Sequence, residues 1–200
     1  MIFGRKDKDT EKKTMCRRAV AEIRQNQYDI SSVRNAAELL QNEYDFDGPF
    51  PIVKMIVDAG FKIYTQDLKR TIGGYIVISN DIEEKFGTDK IIVVNEKENT
   101  NRQRFSLAHE FGHYLLDPGA KKTAEFYDAF ESDDNKTDLE LVIDRFAAEL
   151  LMPEKRFISK YNEVKEQIVD PYEIFKALSD FFAVPPASVE KRFSEVGIAL

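Results

Sequence analysis

Both histidines of this chain stand in one stretch, RFSLAHEFGHYLLD, from Arg104 to Asp117, four residues apart and with a glutamate after the first. At this composition an H-E-x-x-H pattern arises by chance with odds of roughly one in a thousand. Residues four apart on a helix project to the same side one turn from each other. His109 and His113 can therefore hold one ion, with imidazole nitrogens about 2.0 to 2.1 Å from a zinc. Glu110 lies about 100° round the helix from His109 and can aim at a water beside the metal instead of at the metal itself. That makes it the candidate general base.

The motif constrains the fold, because an open catalytic zinc needs a third protein ligand. Cys16 is the only cysteine, so neither an internal disulfide nor a cysteine cage is possible. An H-x-x-G-x-x-H extension would put glycine at 116 and histidine at 119, where the chain has Leu116 and Gly119. The remaining ligand must be a carboxylate. Asp117 sits at the break that follows the helix and is poorly aimed, so the acid must come from a second helix packed against the first.

The best-patterned helix in the chain, TDLELVIDRFAAELLMP over residues 137–153, carries four acids. Leu139, Val142, Ile143, Phe146, Ala147, Leu150 and Leu151 form its apolar stripe. At 100° per residue, Glu140 lies roughly 75° from the stripe centre, Glu149 about 105°, Asp144 about 115° and Asp138 about 125°. Glu140 is therefore the candidate third ligand. Asp144, one turn on, is placed to bond the far nitrogen of a ligand histidine and fix its tautomer. Gly112, inside the motif helix, is expected where a neighbouring backbone comes close.

Upstream, AVAEIRQNQ and SSVRNAAELLQNEY read as short helices, the second with Val33, Ala36, Ala37 and Leu40 on one face behind a serine cap. PFPIVKMIVDAG reads as a helix begun near Pro51 and stopped by Gly60. FKIYT from Phe61, GGYIVIS from Gly73 and IIVVN from Ile91 predict a small sheet, and GGYIVIS is a candidate edge along which a substrate segment could lie. Residues 120–136 are acidic and weakly patterned, either a solvated loop or a cover on the site. Further helices are expected around Phe157 to Tyr161, Ile174 to Phe182 and Ser188 to Val196. The fold class is α+β, mostly helical with a short mixed sheet of about three strands. The expected organisation is a basic extension over residues 1–30, a metal-binding domain over 31–160 and a helical subdomain over 161–200 packed on it.

The net charge of −7 is uneven: residues 1–18 hold seven basic and three acidic side chains, leaving −11 on the rest. An acidic body argues against broad nucleic-acid binding. The segment IFKALSDFFAVPPASVEKRFSEVG has a helix-turn-helix outline, but Lys191 and Arg192 stand among Glu190 and Glu195, a poor match for phosphate. No signal peptide or membrane span is evident, so a cytoplasmic protein is expected.

The pair RFSLAHEFGHYLL and ELVIDRFAAELLMP resembles the ImmA/IrrE family of metallopeptidases, which share an R-F-x-x-A-H-E-x-G-H helix and a later E-x-x-A-[ND]-x-F-A-x-x-L-L-x-P helix. The similarity extends loosely from Asn35 to Gly197, with Ile143 where the family usually has alanine. The resemblance implies a small zincin-like core, zinc on His109, His113 and Glu140, and an intracellular protease acting on helix-turn-helix transcriptional repressors. The alternative is a binding module that controls a protein partner by docking, although such a module has no need of Glu110.

Overall fold

A computed structural model describes residues 29–116, 125–127 and 137–199. The helix expected over AVAEIRQNQ, the environment of Cys16 and most of the acidic 120–136 segment lie outside the described residues.

Helix α1 (Ile30–Gln41) buries Val33, Ala36, Ala37 and Leu40, the face expected from their spacing. Its cap is Asp29, whose side chain accepts from the Ser31 backbone N–H. The carboxylate displaces the expected serine cap, since a negative charge also suits the positive end of a helix. Helix α2 (Ile52–Asp58) follows Pro51 and ends before Gly60, whose φ of +89° suits a residue without a Cβ.

Strand β1 (Lys62–Gln66), strand β2 (Gly74–Ile78), a 3-10 turn (Asn80–Ile82), the one-turn helix α3 (Glu83–Phe86) and strand β3 (Lys90–Asn95) come next. The motif helix α4 (Thr100–Leu116) is followed by a three-residue strand, β4 (Glu125–Tyr127). The sheet is mixed, in the order β1-β3-β2-β4. β1 runs parallel to β3, and β2 runs antiparallel to both β3 and β4. The fourth strand arises from the acidic segment read as loop, where three residues are too few for an alternation to register. It pairs Gly74, Tyr75 and Ile76 with Tyr127, Phe126 and Glu125, so β2 is not the open edge expected for a substrate strand.

Four helices complete the chain: α5 (Asp138–Leu151), α6 (Glu154–Lys165), α7 (Pro171–Phe182) and α8 (Pro186–Glu195). The inward residues Ile76, Ile92 and Val94 of the sheet share one core with Phe111 of α4, Phe146 of α5, Phe157 of α6, Leu178 of α7 and Phe193 of α8. Helices α4 and α5 lie against each other at Gly112, where an added Cβ would stand 3.0 Å from Ile143 Cγ2 and 3.3 Å from Phe146 Cδ1. The close approach expected there is thus made by side chains of α5 and not by backbone. Ile143, the position at which the chain departs from the family pattern, fills that space.

Arg104 fixes the start of this contact. Its guanidinium donates to the Ala183 carbonyl at 3.1 Å and the Phe50 carbonyl at 2.7 Å, tying α4 to the α7–α8 turn and to the lead-in of α2. Among the described residues no helix is long and apolar enough to cross a membrane.

Candidate metal centre

His109 and His113 are buried on the side of α4 that faces α5. Their Nε2 atoms stand 3.1 Å apart. Glu140, in the first turn of α5, closes the triangle: its Oε2 lies 3.3 Å from His109 Nε2 and its Oε1 3.4 Å from His113 Nε2. Ligands about 2.05 Å from a tetrahedral ion stand about 3.3 Å apart, and the two nitrogens, like each nitrogen and its nearer Glu140 oxygen, stand at about that spacing. His109, His113 and Glu140 are the possible metal site among the described residues.

Two neighbours complete the centre. Asp144 Oδ1 lies 3.0 Å from His109 Nδ1, the contact expected from one turn of α5. A proton on Nδ1 donates to this carboxylate and leaves Nε2 free as an acceptor or ligand. Glu110 is buried, and its Oε2 has no hydrogen-bond partner among the described residues. Gly74 at the head of β2 sits over it: a Cβ there would stand 2.7 Å from the Val93 carbonyl oxygen and 3.6 Å from Glu110 Cγ. Glycine lets the sheet approach the acid.

The electrostatics follow from this packing. Burial raises the Glu110 carboxyl to about 8, with the negative Glu140 adding to the effect and His109 opposing it. For His109, burial disfavours the cation, but the hydrogen bonds its ring donates to Asp144 and Glu140 outweigh it and hold the ring at about 9. Glu140 is held down to about 2, its burial outweighed by hydrogen bonds from the two histidines. Without a metal, the proton held on the His109 ring does part of the work that a cation would do.

The structure adds residues that the sequence did not single out. Asn95 is buried at the end of β3. Its Nδ2 donates to Lys69 and Ile72 carbonyls at 3.1 and 2.9 Å, its Oδ1 accepts from Lys97 N at 3.1 Å, and its own carbonyl accepts from Gln103 Nε2 at 2.9 Å. One asparagine thereby fixes both the loop before Gly74 and the entry to α4. An asparagine closing a buried strand was the only signal available. Glu149 and Arg192 form a buried pair behind the centre, with Arg192 NH1 3.0 Å and NH2 2.6 Å from the two carboxylate oxygens. Arg192, considered in sequence as a phosphate contact, is fully buried and already engaged.

A family profile described as the IrrE N-terminal-like domain, peptidase M78, matches residues 58–194 and so takes in every residue of the centre. The chain belongs to this family. It is 36% identical over 64 residues to the radiation response metalloprotease IrrE of Deinococcus radiodurans, a match covering 32% of this chain and 20% of that protein. Its fold is similar to that of a Mycobacterium tuberculosis transcriptional regulator, with a TM-score of 0.54 at 14% identity over 90% of this chain. The chain spans about a fifth of the first of these proteins and 51% of the second.

Proposed function

We propose that the protein is a zinc-dependent endopeptidase that cuts a protein partner, a helix-turn-helix transcriptional repressor, in the cytoplasm. The observation that carries the reading is the convergence of two Nε2 atoms and a carboxylate at 3.1 to 3.4 Å beside a buried acid with a free oxygen. His109, His113 and Glu140 would hold the ion, a nitrogen, nitrogen, oxygen set that suits an open zinc site. The ion supplies Lewis acidity, polarising the scissile carbonyl and acidifying water.

Glu110 does the proton work. Its Oε2 takes a proton from the attacking water as the oxygen–carbon bond forms, and returns it to the amide nitrogen as the carbon–nitrogen bond breaks. A carboxyl held near 8 chiefly by burial ionises more readily once a cation stands beside it, which brings it into the neutral range a general base needs. Asp144 keeps the His109 ring turned so that Nε2 faces inward. The choice of a repressor as substrate rests on the resemblance to ImmA/IrrE proteins.

Glu110→Gln preserves size and both imidazoles but removes the base. The expected outcome is normal zinc content and partner binding, with cleavage lower by about 10² to 10⁴. Cleavage of the partner and its regulatory output should be followed together, at equal protein levels. Full output from the variant without partner fragments would sink the protease reading in favour of a docking module.

A further inference from the structure

The carboxylate of Asp144 is held from both sides. Oδ1 meets His109 Nδ1 at 3.0 Å, and Oδ2 faces the ammonium of Lys191 on α8 at 3.7 Å. Lys191 is followed by Arg192, whose guanidinium is buried against Glu149 and also donates to the Met152 carbonyl at 3.1 Å. Two adjacent cations on α8 therefore grip two acids five residues apart on α5. Arg192 sets the rotation of α8, and that rotation presents Lys191 to Asp144.

We propose that Lys191 is a positioning residue for the metal centre. It acts through Asp144. The ammonium beside Oδ2 restrains the plane of the carboxylate, and with it the angle of the His109 ring. It also adds positive charge beside a cluster containing Glu110, Glu140 and Asp144, and Arg102 too interacts electrostatically with Asp144. The C-terminal helix, remote from the motif in sequence, thus becomes part of the metal site. This inference rests on the reading that the site binds zinc.

The experiment is a chelator-competition titration of zinc against wild type, Lys191→Met, Lys191→Arg, Asp144→Asn and the Lys191→Met/Asp144→Asn double variant. Lys155→Met, at a 94% exposed lysine on α6, is the control. Partners beyond the ligands themselves typically control metal affinity by about 10- to 100-fold, and Lys191, one step further out, should control about 3- to 10-fold. Lys191→Met should weaken zinc by that factor, Lys191→Arg should restore it, and Lys191→Met should have no further effect once Asp144→Asn is in place. The His109 ring resonances of the metal-free protein should shift in Lys191→Met and return in Lys191→Arg.

Unchanged affinity in Lys191→Met overturns the proposal. Tighter binding does the same, because simple repulsion between ammonium and metal would then dominate. An equal loss whether Asp144 is intact or replaced points to general loosening of the fold and also overturns it. Failure of wild type to bind zinc at all would remove the reading on which the inference stands.

Discussion

Helix α5 carries a partnered acid at each end, one buried and one partly exposed, and the two are neutralised in opposite ways. At its C-terminal end Glu149, whose side chain is 2% exposed, is surrounded by arginines: Arg192 on both oxygens, Arg145 at 3.1 Å and Arg34 at 3.5 Å. At its N-terminal end Glu140, with 22% of its side chain exposed, is paired with two imidazoles. An arginine cannot give up its charge, so the first end is permanently closed. An imidazole can release its proton and accept a metal in its place, so the second end is exchangeable. One helix thus carries a structural anchor and a site built from the same kind of side chain.

The largest test of this contrast is Arg192→Met. Breaking a buried ion pair costs about 3 to 5 kcal/mol when the other charge is left alone, and Arg192→Met, which takes the two-point partner from Glu149 but leaves it Arg145 and Arg34, should approach the lower end of that range. Unfolding of the metal-free variant in urea should show a loss of that size. Adding Glu149→Leu should recover part of it, since a buried pair replaced by apolar groups is often neutral, while Arg145 and Arg34 lose this acid. If Arg192→Met unfolds like wild type, the closed end of α5 is not an anchor.

Glu140→Gln should do the reverse. The acid is partly exposed, so its loss should move urea unfolding of the metal-free protein much less than Arg192→Met does. Zinc affinity, by contrast, should fall by more than the ~10- to 100-fold that supporting partners control. Competition titration and urea unfolding on the same samples separate the two effects. A variant that keeps its zinc affinity while Asp144→Asn loses it would make Asp144 the ligand and Glu140 the support.

The sequence displays these two ends unequally. The motif helix and the stripe on α5 are legible because both depend on spacing within one element, and Glu140 follows from its angle to that stripe. Burial does not follow from the angle: Glu149 and Asp144, at wider angles, are more covered than Glu140, with side chains 2% and 10% exposed. What covers them is α8, contributed by a segment some forty residues further on, and a helical wheel treats a helix as if alone. Arg192 misleads for the same reason. A basic residue on an amphipathic helix suggests solvent or phosphate until an acid on another element is known to wait for it. Strand β4 is invisible in the sequence because pairing with β2, and not any pattern of its own, makes it a strand.

Glu110 represents a third way to neutralise a buried acid, and the smallest expected effect. Among the described residues it has no hydrogen bond at Oε2, and in the metal-free protein it keeps a proton, its carboxyl raised by burial to about 8 from an ordinary 4.5. For an acid raised on folding, the native state binds the proton more tightly than the unfolded chain. Its contribution to stability is complete below pH 4.5 and is lost as the pH climbs towards 8. The amide introduced by Glu110→Gln has no such proton to lose. In chelator, the melting temperature of Glu110→Gln minus that of wild type should therefore grow between about pH 5 and 8, corresponding to roughly 1 to 3 kcal/mol at the upper end. His109, raised from 6.5 to about 9, also loses stability as the pH climbs past 6.5, but that loss is common to both proteins and cancels in the difference. A difference that stays flat or shrinks with pH would mean that Glu110 is already ionised in the metal-free fold, held by the imidazolium beside it, and the distinction between proton and imidazole as neutralisers would collapse.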